Sequence, residues 1–386
     1  MLSFVKRLLR RGKRILPFSF DKPLVVIQSD DWGRVGVRDK EGYEQLRQSG
    51  IALGERAYDL YSLETAEDVI AIRDLFLRHR DSSGRPACMT MNFLTANLDF
   101  PKMSQERFKK IHTLPLNLGL PGGWRRPGLF EAYRQGIADR TFFPALHGLT
   151  HFNASAVESA LAGNPERGEL LRTLWSAETP YIYWRMPWVG YEYLRPEGPK
   201  SGFLPLAVQS DLITQSMAIF NKLFEGAATS ACAPGYRANA DTYRAWAQCG
   251  IRVAQIHSAR NVPPYMDDFE VLSLSRTIDF EPAHGEANVA ESVQQAEKCF
   301  SLGIPAIISV HSVNFHSSLK DFRGPALRAL DELLSALETR HPNLLYVHDQ
   351  DLYQLITQGK FENAGPSQVK VKHMEKVPIH QAVLEN

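Results

Sequence analysis

Apolar and polar positions along the chain fall into blocks whose period changes. Leu24-Val25-Val26-Ile27 is a continuous apolar run rich in β-branched residues, the pattern of a strand buried on both faces. It ends abruptly in Gln28-Ser29-Asp30-Asp31-Trp32-Gly33. Residues 64–80 carry acidic residues first, basic residues last and an apolar face at helical spacing, which predicts a helix. Residues 86–93 predict the next strand, and Phe142–Leu146 another that runs straight into His147. Helices are expected over 156–176 and 209–226. Between them, 180–206 is rich in Pro, Gly, Tyr and Trp and reads as an ordered loop or insertion. A helix over 239–250, stopped by Gly250, precedes a strand over 251–256. A strand over 304–310 ends in His311-Ser312. A helix over 325–340, a strand over 344–347 and a helix over 349–358 follow. Residues 361–386 lose periodicity and predict a flexible tail. Alternating strands and helices over 20–360, with no internal repeat, predict one α/β domain. In such domains, polar groups at the C-terminal ends of buried strands are where active sites form.

Composition narrows this picture. The chain has 386 residues, 44% hydrophobic and 23% charged, an ordinary globular balance able to bury a large core. A formal net charge of +1 offers no electrostatic case for nucleic acid as a partner. The four cysteines, Cys88, Cys232, Cys249 and Cys299, are far apart and form no CxxC pair. A disulfide framework or thiolate zinc site is therefore not expected, and free thiols suit a reducing, cytoplasmic setting. Residues 1–20 interleave Lys6, Arg7, Arg10, Arg11, Lys13 and Arg14 with Leu2, Val5, Leu8, Leu9 and Ile15. No apolar run of signal-peptide or membrane-spanning length follows. As a helix the segment is basic and amphipathic. It suits peripheral contact with an anionic membrane through residues 1–16, or an arm packed on protein. The expected organisation is this segment, a catalytic domain over 21–360 and the tail.

Four segments carry candidate chemistry. Asp30 and Asp31 are adjacent carboxylates at a strand end, where neighbouring side chains point different ways, so one can bind a metal while the other acts as a base. Taken alone, such a pair is as much at home in a turn or helix cap. His147-Gly-Leu-Thr-His151 puts two imidazoles at i and i+4, able to chelate one ion from one face of a helical turn. Both segments follow apolar strands and can meet at one barrel mouth. Two imidazoles and a carboxylate leave positions open for water and substrate, the mark of a catalytic metal site. Ala233-Pro234-Gly235-Tyr236-Arg237 is a tight turn whose N–H groups can hold an oxyanion, or an ordinary connection. His311 ends a buried strand and suits a general acid, or a core histidine.

Taken in order, these segments resemble the NodB-type polysaccharide deacetylases. Asp30-Asp31 is similar to that family's strand-terminal aspartate pair, His147–His151 to its His-(Ser/Thr)-x-x-His pattern, 233–236 to its proline-containing oxyanion loop, and Ser309-Val310-His311 to its late histidine strand. The resemblance covers about 24–358. It implies a distorted (β/α) barrel with a divalent metal, usually zinc, with cobalt, nickel or manganese as other candidates. It also implies Asp31, His147 and His151 as ligands, Asp30 as general base, the Tyr236 N–H as oxyanion donor and His311 as general acid. The implied activity is removal of an N-acyl group from an amino sugar in a polysaccharide or glycan precursor, in surface-glycan (lipopolysaccharide-type) biosynthesis.

The sequence departs from the family pattern in places. Gln28-Ser29 stands where the family has Thr-Phe, Thr150 precedes the second histidine, and Cys232-Ala233 replaces the arginine that would hold the catalytic aspartate. Arg237, Arg185 and Arg276 are candidates to replace it, and Asp279 is the candidate to orient His311 or an arginine. Trp184-Arg185-Met186-Pro187-Trp188 competes with 233–236 for the third motif. Trp32, Trp124, Trp184, Trp188 and Tyr191 suit stacking on sugar faces, with Trp32, Arg185, Trp188 and Arg237 as candidate substrate contacts. Two other readings remain: a hydrolase of another amide on the same fold, and a non-catalytic, metal-bound glycan-binding protein. A glycosidase would need a second carboxylate opposite the first, for which there is no candidate.

Overall fold

The computed structural model describes residues 17–257, 261–285, 288–361 and 369–374. The basic segment at 1–16 lies outside them, as does most of the expected tail. The sheet strands are β1 (Leu24–Trp32), β2 (Met89–Phe93), β3 (Phe142–Leu146), β4 (Ser230–Cys232), β5 (Val253–His257), β6 (Leu272–Arg276), β7 (Ile278–Asp279), β8 (Ala306–His311) and β9 (Leu345–Tyr346). They lie side by side in the order β6-β5-β4-β3-β2-β1-β8-β7, with β9 added on β1. Every one of these pairs is parallel. A short antiparallel strand, Tyr265–Met266, lies on β6. The two ends of the order are one segment, because β6 runs into β7 across Thr277 alone. Thr277 N–H donates to Ile307 O (3.0 Å) and Phe280 N–H to Ser309 O (2.9 Å). The sheet therefore curls until its ends meet, a distorted barrel of parallel strands with helices outside.

Strand alternation decides what fills the barrel. On β1, Val25 and Ile27 pack outward into the main apolar cluster with helix residues such as Val69, Ile72, Leu75 and Phe76. Leu24 and Val26 join a separate cluster with Val253, Leu272, Leu274, Ile307, Leu352, Leu355 and Phe361. That cluster plugs the barrel at the N-terminal ends of its strands. Further along the same faces the residues are polar: Gln28 and Asp30 on β1, Asn92 on β2, Gln255 on β5, Arg276 on β6 and Ser309 on β8, all buried. An apolar floor and a polar upper layer follow from a period of two on each strand.

The expected helix over 64–80 is α1 (Ala66–Arg78). Its Thr65–Asp68 capping box supplies two of the amide donors' partners, each side chain accepting from the other's backbone N–H. The expected helix over 156–176 is two helices, Ala154–Gly163 and Pro165–Ser176, because Asn164 caps the second and Pro165 occupies its first position. The expected tail is not structureless throughout: Val371–His373 pairs antiparallel with Phe18–Phe20, and Phe18, Phe20 and Val369 join the plug. Among the described residues, no helix is long and apolar enough to cross a membrane.

Candidate active site

The C-terminal ends of β1, β2, β3, β4, β6 and β8 bring Asp30, Asn92, His147, Cys232, Arg276 and His311 to one end of the barrel interior. A regular strand would aim Asp31 away from Asp30. Instead, the pairing of β1 with β2 shifts register between Ser29 and Trp32, and Asp31 adopts a left-handed φ of 73°. Aspartate tolerates that region better than most residues, and it turns both carboxylates into the site.

Asp31 uses its two oxygens differently. Oδ2 takes Arg34 Nη1 at 3.1 Å and the Tyr58 hydroxyl at 3.4 Å. Oδ1 is buried with no hydrogen-bond partner among the described residues, and lies 3.7 Å from His147 Nε2 and 3.5 Å from His151 Nε2. Burial alone would raise the Asp31 carboxyl, but Arg34, His151 and His147 hold it well below the usual carboxylate range. Burial keeps both histidines below the ordinary imidazole range. His147 Nδ1–H donates to Cys232 O (2.9 Å), so the lone pair of the neutral ring sits on Nε2 and faces the Asp31 oxygen. Two acceptors aimed at one another inside a protein call for a cation between them. Asp31, His147 and His151 therefore fit a metal ion, with ligand atoms mutually within 4.8 Å. The ligand atoms of Asp30, His147 and Cys232 also lie within 4.8 Å of one another. These residues fit an ion less well, because Asp30 is fully engaged elsewhere and burial pushes the Cys232 thiol up, away from the ligating thiolate.

The histidines do not reach this arrangement through a helical turn, as the sequence suggested. Gly148 has φ 91° and His151 φ 72°, and residues 147–153 form a loop. The buried Glu192 carboxylate shapes it. Its Oε2 accepts from the N–H groups of Leu149 (2.7 Å), Thr150 (2.8 Å) and His151 (3.2 Å), donors a helix would have pointed elsewhere. Burial raises the Glu192 carboxyl to about 7 against those three bonds. The Tyr181 hydroxyl lies 2.7 Å from His151 Nδ1 and fixes the ring.

Asp30 is clamped by Arg276, Nη2 to Oδ1 at 2.6 Å and Nη1 to Oδ2 at 2.8 Å, with Asn92 Nδ2 at 2.7 Å from Oδ1. Of the three candidate arginines, Arg276 is the one that holds Asp30. Arg185 instead pairs with Asp59 and Glu55, and Arg237 rests over the Tyr191 ring at 5.9 Å. Arg276 is buried, and its guanidinium also lies within hydrogen-bond distance of Gln28, Gln255, Ser309 and Tyr236. Burial would raise the Asp30 carboxyl, but Arg276, His147 and His311 hold it well below its usual range.

His311 Nε2 stands 3.8 Å from Asp30 Oδ2. Its partner is Glu281, not Asp279: Nδ1 lies 2.6 Å from Glu281 Oε1, and Asn314 holds the other oxygen. Asp279 is mostly exposed and 3.9 Å from His257. Burial alone would lower the His311 imidazole, but Glu281, with Asp30 and Asp31, pushes it up to about 9. At neutral pH the site therefore pairs an ionised aspartate with a protonated histidine.

Two further expectations change. The Tyr236 N–H donates to Ala233 O at 2.8 Å inside its turn and is not open to an oxyanion. The hydroxyl is what reaches the site, 3.4 Å from Asp30 Oδ2 and 2.8 Å from Arg276 Nη1. Gly235 is required in that turn, since its φ is 57° and a Cβ would meet the Tyr191 ring at 2.1 Å. Of the aromatics expected to stack on sugar, Trp32 and Trp124 are buried in the main core and present no face. Trp184 carries the guanidinium groups of Arg185 (4.0 Å) and Arg56 (4.3 Å), and Trp188 that of Arg167 (4.8 Å). Tyr191, 5.8 Å from the His151 ring, and Tyr58, 6.2 Å from the His311 ring, do border the site. Residues 183–189 form two short turns whose Trp184 and Arg185 bond Asp59, whereas Tyr236 bonds Asp30, so 233–236 is the third segment at the site.

No family model and no curated protein matches the sequence. Solved structures do match in fold. A protein assigned as a glycoside hydrolase/deacetylase from Parabacteroides distasonis superposes with TM-score 0.50 at 10% identity, covering 88% of this chain and 72% of that one. A protein assigned as a polysaccharide deacetylase from Mycobacterium smegmatis has TM-score 0.45 at 11% identity, over 88% and 92% of the two chains. A carbohydrate esterase family 4 pseudoenzyme from Bacillus anthracis has TM-score 0.37 at 10% identity, over 86% and 66%. This chain shares its fold with the Parabacteroides distasonis protein.

Proposed function

We propose that the chain is a metal-dependent carbohydrate N-deacetylase that removes an N-acyl group from an amino sugar in a polysaccharide or glycan precursor, in bacterial surface-glycan biosynthesis. The observation that carries this reading is the meeting of Asp31, His147 and His151 beside a separate Asp30–His311 pair. A pure binding site needs no such pair. A divalent ion on Asp31, His147 and His151, with zinc the first candidate, supplies Lewis acidity that polarises the acyl carbonyl and acidifies the attacking water.

The chain's own groups handle the protons. Asp30 stays ionised at working pH and accepts a proton from the attacking water at Oδ2, the oxygen facing His311. Arg276 and Asn92 fix its orientation, and the Tyr236 hydroxyl orders the same oxygen. His311 Nε2 delivers its proton to the departing nitrogen, which an amine needs because it is a poor leaving group. Glu281 keeps that proton available.

The test is metal content together with acyl release from N-acylated amino sugars, for wild type and His147→Ala. About one ion per chain, lost with the activity in the variant, supports the reading. No bound ion overturns the metal centre, and a bound ion with no acyl release from any amino sugar overturns the deacetylase.

A further inference from the structure

The arginine beside the metal-site carboxylate has no role in the proton transfers above. Arg34 is buried, at 6% exposure, and its Nη1 lies 3.1 Å from Asp31 Oδ2. Its guanidinium is held between two rings, 4.8 Å from the Tyr61 centroid and 4.9 Å from that of Tyr181. Both rings are tied to the site, Tyr61 through its hydroxyl to Asp31 O (2.7 Å) and Tyr181 through His151 Nδ1 (2.7 Å). Arg34 therefore cannot swing away without disturbing the loop that carries Asp31 and the ring of His151. With the Tyr58 hydroxyl, it occupies Oδ2 and leaves only Oδ1 facing the histidines.

We propose that Arg34 is a positioning residue that competes with the metal ion for Asp31. It restricts that carboxylate to one oxygen and offsets its charge, so the ion is held loosely and stays electrophilic. The argument rests on the metal-site reading above. A fixed positive charge within bonding distance of the one anionic ligand repels the ion and cancels the charge that would bind it, an effect strong in a buried site. The consequence has an unusual sign: removing a buried, well-packed arginine should strengthen binding elsewhere. A merely structural arginine would do the reverse, since losing it loosens Asp31 and Tyr181.

The experiment measures the zinc and cobalt dissociation constants of the full chain by chelator competition, for wild type, Arg34→Gln, Arg34→Met and Arg34→Lys. The neutral variants are expected to bind about tenfold tighter or more, with Arg34→Lys nearer wild type. The cobalt spectra of the neutral variants are expected to shift as Asp31 Oδ2 becomes available. Equal or weaker binding by folded neutral variants overturns the proposal. So do neutral variants that stay unfolded with and without metal, because an ion should replace the charge Arg34 supplies. A wild type that binds no ion defeats the metal-site reading instead, which separates the two failures.

Discussion

Asp30 and His311 owe their opposite protonation states to one neighbour each. Arg276 holds Asp30 ionised, and Glu281 holds His311 protonated up to about 9. In the proposed mechanism the acid form of His311 is the active one, so kcat/KM should fall as pH rises through a limb no higher than about 9, since a bound cation can only lower it. Glu281→Gln removes the largest charge favouring the imidazolium, and the limb should move to lower pH by about one unit or more. Asp279→Asn should leave it in place. The pH profiles of the two variants, measured on the same substrate, decide between Glu281 and Asp279 as the partner. Asp30, Asp31, His147, His151 and His311 were legible in the sequence because each ends a buried strand or follows one closely. Their partners were not. Glu281 lies two residues past the expected Asp279, and only the pairing of β7 with β8 turns it toward His311. Arg276 was one of three equal candidates until strand alternation aimed it into the barrel.

At the scale of elements, the site depends on backbone conformations that side-chain spacing does not reveal. Asp31, His151 and Tyr236 all have positive φ, and such outliers gather where structure over-determines them for function. An HxxxH spacing reads as a helix, yet here the loop that carries both histidines is shaped by Glu192, 41 to 43 residues further along the chain. Nothing marks that glutamate in sequence; its use appears only when its carboxylate is seen gathering three N–H groups. Glu192→Ala should leave those donors unpaired and let His151 drift. Metal affinity should fall about 10- to 100-fold, the range seen when groups that orient ligands are lost. Glu192→Gln keeps one acceptor oxygen and should lose less. Isothermal titration with zinc measures both, and unchanged affinity in a folded Glu192→Ala would show that the loop holds its shape without the carboxylate.

For the whole molecule, the barrel separates chemistry from stability along its axis. The site occupies the C-terminal ends of the strands, and the plug of Phe18, Phe20, Leu24, Val26, Leu352, Leu355, Phe361 and Val369 closes the other end. This division is general to barrels of parallel strands. The order of strands and helices was legible, because each buried strand and amphipathic helix carries its own period. The closure was not. It depends on a single residue, Thr277, between β6 and β7, and on a terminal strand pair, Phe18–Phe20 with Val371–His373, too short to carry a sequence signal. The tail is thus part of the plug, and this predicts how a shortened chain behaves. Ending the chain after Phe361 removes Val369 and the partner of Phe18–Phe20, and exposes two phenylalanines. At ~1.5–3 kcal/mol per large buried side chain, with the exposure partial, the loss should be on the order of 3 kcal/mol. The urea midpoint should fall accordingly. Below that midpoint, kcat should match the full chain, since the hydrogen bonds that hold Asp30 and His311 involve none of Phe18, Phe20 and Val369. A truncated chain of unchanged stability would show that the terminal strand pair contributes nothing to the plug. A stable one with reduced kcat would show that the two ends of the barrel are coupled.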